Sequence, residues 1–308
     1  MKFYMNDLIK SPLNYTGGKY KLLDQILPML PDSTNRFIDL FCGGCNVGIN
    51  AKFNEVIFID NQKQLMRLFE TFKDNDKDYI LHTIENIINT YGLSQSSRHG
   101  YDYYNCSSSN GLGEYNKINF LKMRKDYNCR EEDNFYNDIL FYTIIIFAFN
   151  NQIRFNKMGK CNIPVGKRDF NDRIRKNLLS FIDRIEDINA KFVMSDFREF
   201  EFYDKEKDTV IYADPPYLIS NAAYNEQDGW NDKKEKALLE LLDYIHSKKI
   251  KFALSNVIES KGIKNEILIN WSRKYNVNHL DFSYKNSNYQ KKSEHRNAKN
   301  IEVLITNY

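Results

Sequence analysis

Two rhythms of apolar residues alternate along the chain. Arg36 to Phe41, Glu55 to Ile59, Lys191 to Met194, Thr209 to Ala213, Lys251 to Leu254 and Glu302 to Asn307 are short and nearly unbroken. Runs of that length and character read as strands covered on both faces. Between them apolar side chains return at helical spacing. Leu22, Leu23, Ile26 and Leu27 do so within Lys19 to Leu30, which Pro31 closes, and Ile174, Leu178, Phe181, Ile182 and Ile185 do so within Arg173 to Asn189. Gln62 to Phe72 and Lys233 to Ser247 follow the same period, and Val47 to Phe53 restarts as a helix after Gly43-Gly44 breaks the first strand. Strands and helices in alternation predict an α/β fold, a parallel sheet with helices on both faces.

The rhythm changes in the middle of the chain. Ser94 to Gly113 is rich in Ser, Asn and Gly and reads as a long loop, and Asn119 to Tyr127 and Asn134 to Phe149 read as helices. The sheet domain, residues 1–61 and 171–308, is therefore interrupted by a mostly helical insertion, residues 62–170. Composition adds little to this. Ile139 to Phe149, the strongest apolar run, is shorter than the roughly 18 residues of a membrane span, and Met1 to Lys10 lacks the pattern of a signal peptide. Five cysteines at irregular spacing argue against a disulfide framework and for a reducing, cytoplasmic setting.

Charge is more informative in its placement than in its sum. The formal net charge is only +3. Yet Arg154, Lys157, Lys160, Lys167, Arg168, Arg173, Arg175 and Lys176 crowd one segment against Asp169 and Asp172, and Lys285, Lys291, Lys292, Arg296 and Lys299 crowd another against Glu294. Two basic stretches in a nearly neutral chain point to a localised anionic partner; solvated helix and loop faces are the plainer reading of either stretch alone.

Two motifs carry candidate chemistry. Phe37 to Gly48 runs from a strand into a glycine turn and on toward a helix. Glycines there let a ligand approach the backbone and its amides. Asp60, 21 residues after Asp39 at the end of the next strand, stands where an acidic residue commonly binds ribose hydroxyls; capping of the following helix is the alternative. Cys42 and Cys45 have no matching Cys or His pair, so they read as small buried turn residues and no metal is expected.

The second motif, Asp214-Pro215-Pro216-Tyr217, follows the apolar strand Val210 to Ala213. Two prolines fix the backbone and remove two amide donors. The Pro215 carbonyl and the Asp214 carboxylate are left as adjacent acceptors, suited to the two hydrogens of an exocyclic amino group. Engaging both keeps the nitrogen lone pair out of the ring and makes the nitrogen nucleophilic toward an activated methyl group. Tyr217 offers a flat face for a base turned out of its stack.

These motifs, in this order, resemble the Dam-type (class alpha, D12) DNA adenine-N6 methyltransferases. The resemblance runs from Pro12-Leu-Asn-Tyr-Thr-Gly-Gly-Lys19 through Phe37 to Gly48, Asp60, Asp196-Phe197, Asp214 to Tyr217 and Leu254-Ser-Asn-Val257. It implies a Rossmann-like S-adenosylmethionine-dependent catalytic domain. Tyr15 and Lys19 would touch the methionine end of S-adenosyl-L-methionine, Asp39, Phe41 and Gly43 would lie at the turn, Asp60 would hold the ribose, and Asp196 and Phe197 would meet the adenine. Tyr15 and Phe197 rest on the resemblance alone. The insertion would be a target-recognition domain whose β-hairpin, Phe149 to Arg168, enters double-stranded DNA. There Phe149 is a wedge, Arg154 and Arg168 are readers of guanine, Lys157, Lys160 and Lys167 hold phosphates, Pro164 meets a base edge, and Asn150, Gln152 and Asn156 complete the surface. The family's usual target is GATC; Gln152 departs from the apolar residue common at that position, which leaves part of the target open. The resemblance leaves room for a restriction endonuclease in the same system, which the sequence does not show, and no stable protein partner is evident.

Three other readings remain open on the sequence. A cytosine-N4 or protein-glutamine methyltransferase uses the same Pro-Pro geometry. A retired scaffold would bind DNA without turnover. A nicotinamide-dependent dehydrogenase would rest on the glycine turn alone.

Overall fold

The computed structural model describes residues 8–15, 17–32, 34–201, 208–219, 229–281 and 300–308. The basic run from Tyr284 to Lys299 lies outside the described residues. The chain divides into two compact units, one of Met1–Leu8, Lys19–Asn61 and Ile188–Tyr308, the other of Ile9–Gly18 and Gln62–Asp187. Among the described residues no helix is long and apolar enough to cross a membrane.

The first unit is built on one sheet. Its strands are β1 (Arg36–Asp39), β2 (Glu55–Asp60), β3 (Asn189–Met194), β4 (Thr209–Ala213), β5 (Lys251–Ser260), β6 (Ile263–Lys264), β7 (Asn276–Leu280) and β8 (Ile301–Thr306). They lie in the order β3-β2-β1-β4-β5-β8-β7, with β6 beside β5. β3, β2, β1, β4 and β5 are parallel, while β8 runs antiparallel to β5 and to β7. One face buries Ile38, Leu40, Ile211, Ala213, Phe252, Leu254, Val303 and Ile305 against Leu238, Leu239, Leu242 and Ile245 of helix α8 (Asp232–Ser247) and Leu268 of α9 (Glu266–Ser272). Before β1, the turn Lys19–Leu22 leads into α1 (Leu23–Ile26), which buries Leu23 and Ile26. From β1 the chain moves outward through β2 and β3, then returns to lay β4 on the other side of β1. The carboxyl ends of β1 and β4 are thus a topological switch point, where open α/β sheets receive ligands.

The second unit is helical: α2 (Lys63–Asp74), α3 (Lys77–Thr90), α4 (Ser96–His99), α5 (Gly113–Asn128), α6 (Phe135–Phe147) and α7 (Asp172–Asp187). α6 is buried at every position from Asp138 to Phe147, and α2, α3 and α5 pack against it. A helix apolar all round is a central helix. Its buried Asp138 is met by Arg67 Nη2 at 2.9 Å and Thr71 Oγ1 at 2.9 Å, both from α2.

Several elements differ from their sequence expectation for identifiable reasons. Residues 171–187 were expected with the sheet, but α7 buries Leu178, Phe181, Ile182 and Ile185 in the helical unit, with the Phe181 ring 5.4 Å from Phe69 of α2. Ile9–Gly18 also belongs to that unit. Val47 to Phe53 forms only a 3-10 turn at Gly48–Asn50, because the backbone turns extended at Ala51, with ψ 139°; the Gly48 amide is given to Asp39 Oδ2 at 3.1 Å. Ser94 to Gly113 contains α4 and a further turn at Asp102–Tyr104, tied by Ser96 N and Oγ donating to the buried Asp169. β5 runs six residues past Leu254, since polar Ser255 and Asn256 interrupt the apolar run while keeping strand register with β8. The expected β-hairpin between Phe149 and Arg168 is held by two isolated antiparallel bridges, Ala148 with Val165 and Phe155 with Cys161.

A Cβ on Gly48 would lie 2.4 Å from a Phe58 ring carbon and 3.0 Å from Asp39 Oδ2. Gly48→Ala is expected to lower the unfolding free energy by about 1–3 kcal/mol, measured as a reduced urea midpoint at unchanged m-value.

Candidate active site

The switch point is where the sequence motifs meet. β1 ends at Asp39, in register with Tyr212 of β4, and the chain leaves β4 at Ala213 directly into Asp214. Lys19, 5% exposed, brings its ammonium to both carboxylate oxygens of Asp214, at 2.6 and 2.7 Å. Tyr217 Oη donates to Asp214 Oδ1 at 3.2 Å, and the Lys19 ammonium lies 4.9 Å from the centre of the Tyr217 ring. Pro215 is buried beside them. Burial raises the Asp214 pKa, opposed by the Lys19 charge and by the hydrogen bonds from Lys19 and Tyr217. Lys19 therefore keeps a carboxylate oriented at a place where solvent alone would not.

The glycine turn is pinned to the end of β2. Gly43 takes φ +45° and donates its amide to Asp60 Oδ2 at 3.0 Å, while Cys42 N donates to Ile59 O at 2.9 Å. Cys45 also has a positive φ, 61°. Asp39 is 2% exposed; burial lifts its pKa to about 8, with the Gly48 amide opposing and the charges of Asp214 and Asp60 adding. Cys42 and Cys45 are buried free thiols. Burial pushes Cys45 up to about 11 and Cys42 well above the usual thiol range, so both stay protonated. Among the described residues no group of three or more His, Cys, Asp or Glu is placed to hold a metal ion.

On the other side of the turn three rings gather. Phe41 lies 5.3 Å from Phe197 and 5.7 Å from Trp230, and Phe197 lies 5.7 Å from Trp230. Trp230 is anchored by its indole N–H, which donates to Glu235 Oε2 at 2.6 Å. Glu235, fully buried, also accepts from Asn265 Nδ2 at 2.9 Å and Asn256 Nδ2 at 3.4 Å. Sequence reasoning missed Trp230 and Glu235; no periodicity marks a single Trp. Asp196 is turned toward Arg198, accepting its backbone N–H at 2.9 Å and its guanidinium at 2.7 and 2.8 Å, and that side chain pulls its pKa down.

In the helical unit, the segment Phe149 to Arg168 is an exposed ribbon on buried anchors. Phe149, Asn150, Arg154, Lys157, Lys160, Pro164, Lys167 and Arg168 are exposed, whereas Ile153, Cys161 and Ile163 are buried and Gln152 and Asn156 are intermediate. Asn128 of α5 clamps Cys161, donating to its carbonyl and accepting from its amide, each at 2.8 Å. Arg124 donates to the Ile163 carbonyl. Asn156 shapes the tip by accepting from the amides of Met158 and Lys160. Arg154 is held by Asn162, through Nε to Oδ1 at 2.9 Å and Nη2 to the carbonyl at 2.6 Å. Lys167 Nζ reaches Ser109 O at 3.4 Å. Tyr15 sits half-buried in the same unit, its carbonyl accepting from Gly18 N.

A parallel sheet core with a glycine turn after β1, an acidic residue ending β2 and Asp-Pro-Pro-Tyr after β4 is a Rossmann-like arrangement. Residues 15–290 match the family model described as D12 class N6 adenine-specific DNA methyltransferase, and the chain belongs to that family. It is 38% identical over 313 residues to the type II methyltransferase M.FokI of Planomicrobium okeanokoites, an alignment covering 100% of this chain and 44% of that protein. It is 39% identical to the modification methylase StsI of Streptococcus sanguinis, over 97% of this chain and 43% of the relative. The DNA adenine methylase of Haemophilus influenzae is 31% identical over 206 residues, 67% of this chain and 63% of its own length. The chain thus spans less than half the length of the first two relatives. Family membership implies a methyl donor as co-substrate.

The raised Asp39 pKa has a sign that can be checked. The folded state holds a proton that an unfolded Asp, with an ordinary value of 3.8, releases. The contribution to stability is complete below about pH 4 and is lost as pH rises toward about 8, at up to about 1.4 kcal/mol per pH unit. Asp39→Asn is expected to flatten the pH dependence of urea unfolding in that window and to gain on the wild type toward pH 8.

Proposed function

We propose that the chain transfers a methyl group from S-adenosyl-L-methionine to the N6 amino group of adenine in double-stranded DNA. The observation that carries this reading is the Asp214 carboxylate, fixed by Lys19 and Tyr217 at the switch point and followed by two prolines. Asp214 and the Pro215 carbonyl accept the two hydrogens of the adenine amino group, which turns its lone pair outward. Tyr217 stacks on the flipped base.

The residues around the glycine turn fit the donor. Gly43, with its positive φ, allows close approach to the backbone, Asp60 offers acceptors to ribose hydroxyls, and Phe41, Phe197 and Trp230 form an aromatic wall for a purine. When bound, S-adenosyl-L-methionine supplies a sulfonium methyl that needs in-line positioning and no metal. Lys19 serves the catalytic carboxylate and lies at the methionine end of the donor, which the resemblance also assigns to Tyr15. Asp196 supports the adenine end next to Phe197.

The helical unit supplies target recognition. Its exposed ribbon presents Phe149 as a wedge, Asn150, Gln152, Asn156 and Pro164 toward base edges, Arg154 and Arg168 as guanine readers, and Lys157, Lys160 and Lys167 toward phosphates. Asn162 holds Arg154 in a fixed plane before DNA arrives. GATC or a related short site is the target proposed.

Incubation with labelled S-adenosyl-L-methionine and duplex DNA, followed by digestion to nucleosides, is expected to place the label in N6-methyl-2′-deoxyadenosine alone; label in deoxycytidine would transfer the reading to cytosine-N4 chemistry. Asp214→Ala should lower kcat by about 100-fold or more while circular dichroism stays unchanged. Binding to DNA without any turnover would mark a retired scaffold. Arg168→Ala should reduce kcat/KM for DNA by roughly 10- to 100-fold and leave the KM for the donor unchanged.

A further inference from the structure

Among the described residues, the side of the sheet that carries the Lys19–Asp214 pair holds Asp39, Asp60 and a further carboxylate, Glu302. On β8, Val303 and Ile305 point into the apolar core with Ile211 and Ala213 of β4 and Leu254 of β5. Strand alternation sends Glu302 and Leu304 the other way. Ser255 of β5, in register with Leu304, shares that side and meets Tyr212 Oη at 2.7 Å. Glu302 itself pairs with Val257 of β5 and Leu280 of β7, beyond the carboxyl end of β4. Its Oε2 is buried and receives no hydrogen bond from any described residue. The charges of Lys19 and Asp214 both act on it, and burial raises its pKa.

A buried carboxylate oxygen without a donor is costly, and native folds rarely keep one without a use. The local charges sharpen the question. Asp39 is held protonated up to about pH 8, and Lys19 is committed to both oxygens of Asp214. Glu302 is then the carboxylate left to be answered, and what answers it must bring N–H donors and a positive charge. The sulfonium of the proposed donor has charge but no N–H. Its adenine amino group belongs with Phe41 and Phe197, and the amino group of the target base belongs with Asp214 and Pro215. The remaining cation is the α-ammonium of the methionine end, which carries three donors.

We infer that Glu302 is a binding residue of the methyl-donor site, accepting the α-ammonium group of S-adenosyl-L-methionine beside the Lys19–Asp214 pair. This rests on the reading of the site as a place for that donor. Glu302 therefore selects a complete amino-acid moiety and fixes the methionine end while the aromatic wall fixes the other.

The test compares two ligands on the intact chain by isothermal titration calorimetry. S-Adenosylhomocysteine carries the ammonium; 5′-methylthioadenosine keeps the adenosine and the thioether and lacks the amino-acid group. Glu302→Gln is expected to weaken S-adenosylhomocysteine by roughly 10- to 100-fold, the range for losing a charged hydrogen-bond partner. Binding of 5′-methylthioadenosine should stay within about twofold of wild type, which also shows that the variant retains its fold and aromatic pocket. Equal weakening of both ligands, or no change for either, overturns the assignment. Failure of the wild-type chain to bind S-adenosylhomocysteine removes the donor reading itself; methyl transfer with unaltered S-adenosylhomocysteine affinity in Glu302→Gln removes only the role of Glu302.

Discussion

The bond between the Lys19 ammonium and the two oxygens of Asp214 is the constraint on which the rest of the site depends. A carboxylate buried at the end of β4 pays a desolvation cost, visible in the direction of its pKa shift. Lys19 opposes that shift through its charge and its hydrogen bonds. Removing one partner from a buried pair typically costs about 3–5 kcal/mol, because the other charge is left uncompensated. The pair also joins distant parts of the chain, since Lys19 precedes β1 and Asp214 follows β4, 195 positions later.

Around that pair several polar groups of the sheet are answered by one another. Tyr212 and Ser255 satisfy one another. Glu235 gathers the indole N–H of Trp230 and the side-chain amides of Asn256 and Asn265, so one buried carboxylate fixes an aromatic ring, a strand and the cap of α9. Asp39 takes the Gly48 amide and retains its proton. Among the described residues Glu302 is the carboxylate with an unanswered buried oxygen, which is why a ligand group is the natural explanation for it.

The helical unit solves a different problem, presenting an irregular ribbon with little regular pairing of its own. Its exposed cationic positions sit between buried anchors at Ile153, Cys161 and Ile163, and α5 reaches out with Asn128 and Arg124 to bond the ribbon's backbone. Those side chains stand in for the missing strand ladder. Gly166 is required for the same reason: a Cβ there would lie 2.3 Å from the Ala148 carbonyl oxygen.

The sequence by itself determined the parallel core and the two motifs, because continuous apolar runs, prolines and glycines act through local sterics. Arg36 to Asp39, Thr209 to Ala213, Gly43 and Asp214 to Tyr217 were all legible in that way. It did not determine what depends on contacts between distant positions. α3 lies outside the predicted helices although Ile80, Ile84, Ile87 and Ile88 keep helical spacing, and β7, with one buried residue among five, has almost no apolar signal. α7 changed units because a helix's partner is chosen by which apolar surface it meets, here Phe69. Trp230 and Glu235 gained their significance only when folding brought them beside Phe41 and Asn256, and Glu302 only when strand pairing left its Oε2 buried without a donor. Burial and charge are properties of the assembled sheet, and no single stretch of residues carries them.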